Sequence, residues 1–167
     1  MTRGGVTNGG VVEAIHVASA ATATMTAVTQ AYAHAGRGLA GDRYEAGSGT
    51  FSTWPKDHEL TLVEAEAVEA LAATCGRALA PGQTRRNVTT RGIALNDWVG
   101  KEFYVGEVRC RGTRLCEPCA HLAALLEIPD LMRLLAGRGG LRAVILTGGV
   151  IRTGERIRLA EDVPAHS

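Results

Sequence analysis

Three of the chain's four cysteines, Cys110, Cys116 and Cys119, lie in one stretch, CRGTRLCEPCAHLAALL, residues 110–126. Sulfur at this density has four chemical uses. A structural zinc site takes four ligands, often as two paired knuckles. Here there is one C-x-x-C, with His121 and Cys110 as nearby extras and Cys75 far away in sequence. A thioredoxin-like dithiol puts C-x-x-C after a strand and at a helix start, which the local pattern fits. The strand–helix alternation expected around such a motif is missing, however. Free cysteine is also among the most buried residue types. Cys110, in the middle of a strand pattern, suits that inert role, as does Cys75 near a helix end. The fourth use is a thiolate placed to meet a metal or a sulfur atom, and Cys119 suits it best. Pro118 fits the first helical position, because its fixed φ matches the helix and its missing N–H is not needed there. Glu117 is then the N-cap and Cys119 the second helical residue. A sulfur there faces unpaired backbone N–H groups and the positive end of the helix dipole, which favours the thiolate. Arg114 and His121 reinforce the effect, and Glu117 opposes it.

Two further stretches carry unusual polar density. TRRN (residues 84–87) sets Arg85, Arg86 and Asn87 at the start of a strand. Arginine offers a planar fork suited to phosphate, and asparagine can pair with a heterocycle edge; the plain alternative is a solvated loop edge. GLAGDRY (residues 38–44) holds Asp42 and Arg43. Arg43 suits an anion, whereas Asp42 suits the capping of a turn, the commoner use of aspartate. His16, in AIHVAS, reads by itself as a hydrogen-bonded strand histidine.

The elements that must position these groups follow from periodicity. Residues 11–19 alternate at period two and predict a strand; 27–35 predict a second, with helix as the competitor because alanine favours it. The glycines of residues 36–52 exclude a regular element, and an irregular loop this long is more often functional than filler. ELTLVEAEAVEALAATCG (residues 59–76) predicts a helix. Thr61 is its N-cap and Glu64 closes a capping box. Leu62, Ala65, Val68, Leu71 and Ala72 form its apolar stripe, and Gly76 stops it. A short strand follows near 87–90, turns at Gly92 and Asn96–Asp97, and a strong strand over 102–111. A second helix is expected over roughly 118–126, ended by Pro129, with a helical turn at 130–136. The chain then closes as strand, Gly148–Gly149 turn, short extension, Thr153–Gly154 turn and last strand. Many strands and two or three helices predict an α+β fold built on a sheet or barrel.

The 167 residues fit one domain able to bury a core without a disulfide or metal. A formal net charge of +1 argues against a general nucleic-acid binder. No stretch is long and apolar enough to span a membrane, and no signal-peptide core precedes a cleavage site. The cytoplasm, where thiols stay reduced, is therefore the expected location.

Taken in order, AIHVAS, GRGLAGDRY, LTLVEAEAVEAL, RRNVTTRGIALNDWVGKEFYVGE and GTRLCEPCAHL resemble MOSC domains, named after the C-terminal part of molybdenum cofactor sulfurase. The likeness runs from about residue 11 to residue 159. It implies a tail at 1–10, a single MOSC domain over 11–160 and a tail at 161–167. The fold it implies is a β-rich, barrel-like one. It also implies binding of the molybdenum cofactor, a phosphate-bearing pterin dithiolene, or handling of sulfur destined for it. On that resemblance Cys119 is the metal ligand, with Cys116 beside it as the alternative. Arg85, Arg86 and Arg43 hold the phosphate, Asn87 orients the pterin, and Asp42, Arg114 and His121 line the pocket. The chemistry implied is a molybdenum-dependent oxidoreductase acting on N-hydroxylated compounds, served by an electron-donor protein. A persulfide sulfurtransferase is the second reading, with Cys116 resolving a Cys119 persulfide, and a non-catalytic pterin-binding module is the third. Pyridoxal phosphate enters only through a separate partner cysteine desulfurase, because the chain lacks that domain.

Overall fold

Period-two alternation builds most of this chain. In a computed structural model, which describes residues 9–18, 25–42, 59–76, 84–116 and 137–162, the described residues form eleven strands and one α-helix. The strands are β1 (Gly9–Val17), β2 (Thr26–Val28), β3 (Gln30–His34), β4 (Gly38–Leu39) and β5 (Leu60–Glu64). They continue as β6 (Val88–Arg91), β7 (Glu102–Val105), β8 (Val108–Leu115), β9 (Leu141–Thr147), β10 (Gly149–Arg152) and β11 (Arg156–Leu159). The helix α1 spans Ala65–Cys75.

Seven strands run in the order β1-β6-β5-β9-β8-β7-β11, and β11 pairs back onto β1 to close a barrel. β2 hangs on β1, and a separate three-stranded sheet runs β10-β3-β4. The alternation points one set of side chains inward. Phe103, Val105, Val108, Cys110, Ile145, Ile157 and Leu159 meet Val12, Ile15, Leu60, Leu62, Val88 and Leu141 in one core cluster. Closing the ring leaves its strands without the open edges that a flat sheet would present. The β-rich, barrel-like α+β fold is thus the one expected.

Three expected elements differ. Residues 60–64, taken as the first turns of a helix, form β5, and α1 begins only at Ala65. Thr61 is therefore not an N-cap; it is buried in a strand. Glu64 occupies the cap position by its backbone and makes no side-chain cap bond. Its carboxylate instead accepts the Leu95 N–H at 3.0 Å and pairs with Arg138 at 3.5 Å. The reason is burial on both faces: Leu60, Thr61, Leu62 and Val63 are all covered, so the strand lacks the alternation that marks a half-exposed one. Gly76 does stop the helix, at φ 69°, with its N–H on the Ala72 carbonyl. The strand expected over 102–111 is a hairpin, β7 and β8, turning at Gly106–Glu107. Residues 27–35 divide into β2 and β3. The helix expected at 118–126 and the turn at 130–136 lie outside the described residues.

Candidate functional site

The TRRN motif forms a turn entering β6, and Arg85 adopts φ 63°, the sole non-glycine residue described with positive φ. A left-handed conformation costs an L-residue roughly 1–2 kcal/mol, and strain of this kind gathers at functional sites. Arg85→Gly is expected to relieve it, raising stability by about 0.5 kcal/mol after the added chain entropy of glycine. If Arg85 holds a phosphate, as the resemblance implies, the same change should also weaken affinity for a phosphate-bearing ligand. Thermal melting and a binding titration check the two halves; a clear loss of stability would mean that the Arg85 side chain holds the fold.

Asn87, fully buried, follows in this turn. Its Oδ1 accepts the Thr61 N–H at 3.1 Å and the Thr61 hydroxyl at 3.2 Å, while its own N–H donates to Thr61 Oγ1 at 3.0 Å. Its Nδ2 donates to the His16 carbonyl at 3.1 Å, and the His16 N–H donates to the Asn87 carbonyl at 2.7 Å. The side chain thus stitches β1, β5 and β6 together. Cross-strand register extends the row: Thr61 lies opposite Arg142 on β9, and Arg142 opposite Arg114 on β8. A bulge between Gly112 and Arg114 sets that last pairing, and the hydroxyl of the extra residue, Thr113, donates to the Arg142 carbonyl at 3.1 Å. Arg114, Arg142, Thr61, Asn87 and His16 therefore cross five strands in one line.

Three further contacts tie the remaining motifs to this line. Asp42 Oδ1, buried, accepts the Ala18 N–H at 3.0 Å, which fastens the stem of the glycine-rich loop beside His16. Arg86 Nε donates to the Gly139 carbonyl at 2.8 Å, and the Cys116 N–H donates to the Gly140 carbonyl at 2.7 Å. Consecutive peptides thus hold the arginine turn and the root of the C-E-P-C segment. The Cys116 side chain is buried, 1% exposed. Cys110 is buried in the barrel, where desolvation first and then the Glu59 carboxylate push its thiol far above the usual range. The inert role expected of it follows. Cys119, His121 and Arg43 lie outside the described residues. Among the described residues, no three His, Cys, Asp or Glu side chains gather as a metal site, and no helix is long and apolar enough to cross a membrane.

Sequence reasoning missed Thr61, Arg142 and Glu59. Glu59 is buried, its carboxylate accepting the Ile145 N–H at 2.8 Å. Arg142 is 9% exposed. An arginine inside the apolar run LRAVIL was the available signal for it, since arginine is almost never fully buried without a reason.

Two side-chain polar atoms at this end are buried. His16 Nδ1 and Thr84 Oγ1 have no hydrogen-bond partner among the described residues. Burial lowers the His16 pKa below its ordinary value. The unfolded chain then takes up the proton first as pH falls, so the stability contributed by neutral His16 is complete above about pH 6.5 and declines below it. Denaturant midpoints at pH 7.5 and pH 5.5 should show a fall that His16→Gln reduces; an equal fall in the variant would assign the effect to other groups.

The profile of the MOSC domain matches residues 8–158, which covers this whole constellation. The chain belongs to the MOSC domain family. The barrel of this MOSC domain is similar to the crystal structure of the YuaD protein from Bacillus subtilis, with a TM-score of 0.76 at 16% identity over 90% of this chain and 95% of that one. It is also similar to YiiM from Geobacillus stearothermophilus, with a TM-score of 0.72 at 20% identity over 90% of this chain and 75% of that one. YiiM from Escherichia coli gives 0.69 at 18% identity over 93% and 72%. At these identities the likeness speaks for the fold. No curated protein matches this MOSC domain.

Proposed function

We propose that this MOSC domain binds the molybdenum cofactor, with the Cys119 thiolate as the ligand to molybdenum. The observation that carries the reading is the convergence at Gly139–Gly140, where the arginine turn and the root of the cysteine segment attach to adjacent peptides. The residues present fit an anionic, heterocyclic group. Arg114 and Arg142 supply positive charge along one line, Arg85 and Arg86 supply more from the turn before β6, and His16 and Thr84 hold buried polar atoms with unspent bonding capacity. Arginine forks hold phosphate oxygens in pairs, so Arg85 and Arg86, with Arg43, are assigned to the phosphate. Asn87 gives its amide to Thr61 and His16, so it acts by fixing the turn, and the edge of the pterin falls to His16 and Thr84. Arg114 lies at the entry to the cysteine segment and favours an ionised sulfur there. Bound in this way the cofactor supplies two-electron oxygen-atom transfer, such as reduction of an N-hydroxylated compound, while the protein contributes ligation, charge and orientation. Electrons come from a separate donor protein.

The test is elemental analysis and pterin extraction on purified protein. Cys119→Ala is expected to lose molybdenum and pterin together, and Cys116→Ala to keep both at reduced stability. Loss of the metal in the Cys116 variant alone would transfer the ligand role. Protein free of molybdenum that carries cyanide-labile sulfur, lost in Cys119→Ala, would establish the persulfide carrier instead.

A further inference from the structure

The barrel wall opposite the arginine turn carries a second concentration of charge. β7 lies three strands from β5 one way round the ring and three from β6 the other way. With Phe103, Val105, Val108, Cys110, Ile157 and Leu159 inward, the outward positions of this wall hold Arg109, Arg111, Arg156 and Arg158 around Tyr104. Register sets them close: Arg158 lies opposite Tyr104, Tyr104 opposite Arg109, and Glu102 opposite Arg111. Arg109 is pinned at the centre by Glu102, by the Tyr104 hydroxyl at 3.1 Å and over the Tyr104 ring at 5.5 Å. Arg111, Arg156 and Arg158 have no side-chain hydrogen bond or ion pair among the described residues. Exposed Glu161, in the turn after β11, is a further carboxylate; Glu155 and Glu107, at the β7–β8 turn, are engaged by Arg152 and by the Val150 N–H.

The chain's net charge is +1, so four arginines on one wall form a strong local excess. Neighbouring strand positions are about 5 Å apart, and same-face residues along a strand about 7 Å, so each of these charges lies within about one Debye length of its nearest neighbour in the set. Like charges this close repel, and an opposing surface relieves the repulsion. The wall also has apolar flanks: Val11, opposite Arg156, is 39% exposed, and Val99, beside Gly112 of β8, is 42% exposed. Arginine and tyrosine with exposed aliphatic neighbours is the composition of a protein interface.

We infer that the β8-β7-β11 wall is a docking surface for a partner protein presenting an acidic face. The inference does not rest on the cofactor assignment, since this wall and the arginine turn occupy opposite sides of the ring. The overall charge balance disfavours nucleic acid as the occupant.

The test uses the full chain and a synthetic acidic peptide of alternating Glu and Tyr, with affinity measured by fluorescence anisotropy at low and high salt. Binding should weaken with salt, and R156E/R158E should weaken it about tenfold or more at low salt with the melting temperature unchanged. R37E/R152E alters net charge equally at exposed sites elsewhere and should leave most of the affinity. No binding, or equal loss in both variants, overturns the inference. Tighter binding to a 20-base-pair DNA duplex with the same variant dependence also overturns it, making the wall a nucleic-acid surface.

Discussion

Asn87→Ala is expected to remove about 3–5 kcal/mol of stability, because it leaves the Thr61 N–H and the His16 carbonyl buried without partners and breaks the Thr61 hydroxyl bond. Each orphaned buried group costs about 1–3 kcal/mol, and the three contacts join three strands of the ring. Asn87→Asp should be nearly as harmful, since a carboxylate oxygen would then face the His16 carbonyl where an N–H now donates. Urea denaturation measures both. A cycle with Thr61→Val should show strong coupling, because the two side chains share a donor–acceptor loop. A loss below about 1 kcal/mol for Asn87→Ala would mean that the amide is free to serve a ligand. That outcome would restore the role in pterin orientation that the sequence alone suggests.

Gly140→Ala carries the second large effect. Gly140 has φ 117°, and a Cβ there would lie 2.1 Å from the Leu62 carbonyl oxygen, a backbone atom that cannot swing aside. Backbone strain of about 1–2 kcal/mol adds to a clash at the point where β9 begins to pair with β5. A total loss of about 3 kcal/mol or more is expected. Gly137→Ala is the control: its φ is 75°, but nothing lies within 4 Å of the added carbon. It should lose only the backbone component, about 1 kcal/mol. Because the Gly140 carbonyl also receives the Cys116 N–H, the proposed cofactor binding predicts that Gly140→Ala loses molybdenum and pterin at temperatures where circular dichroism still shows a folded barrel. Retained cofactor in a folded variant would disconnect this peptide from the site.

The strands that alternate could be read directly from the sequence. β11 shows its inward Ile157 and Leu159 between outward arginines, and Gly76 marks the end of α1 as a left-handed stop. β5 could not, because burial on both sides erased its alternation and T-x-x-E imitated a helix cap. Its parallel pairing with β6 is a tertiary fact that no local pattern encodes. The site was legible in the same uneven way. GLAGDR and RRN stood out as polar density, AIHVAS read as a plain strand, and the contacts Ala18–Asp42 and His16–Asn87 join all three. Thr61 and Arg142 stayed hidden because their place depends on cross-strand register, and the bulge that puts Arg114 beside Arg142 leaves no local mark.

The β1–β11 pairing matches residues 9–11 with residues 156–158. Contacts of such high order in the chain make barrel closure a late event in folding. Until the final strand leaves the ribosome, β1 and β7 each present a bare edge, open to pairing with a neighbouring nascent chain. Products truncated before Arg156 should therefore aggregate, whereas a circular permutant that links the two ends and opens elsewhere at an exposed turn should stay monodisperse.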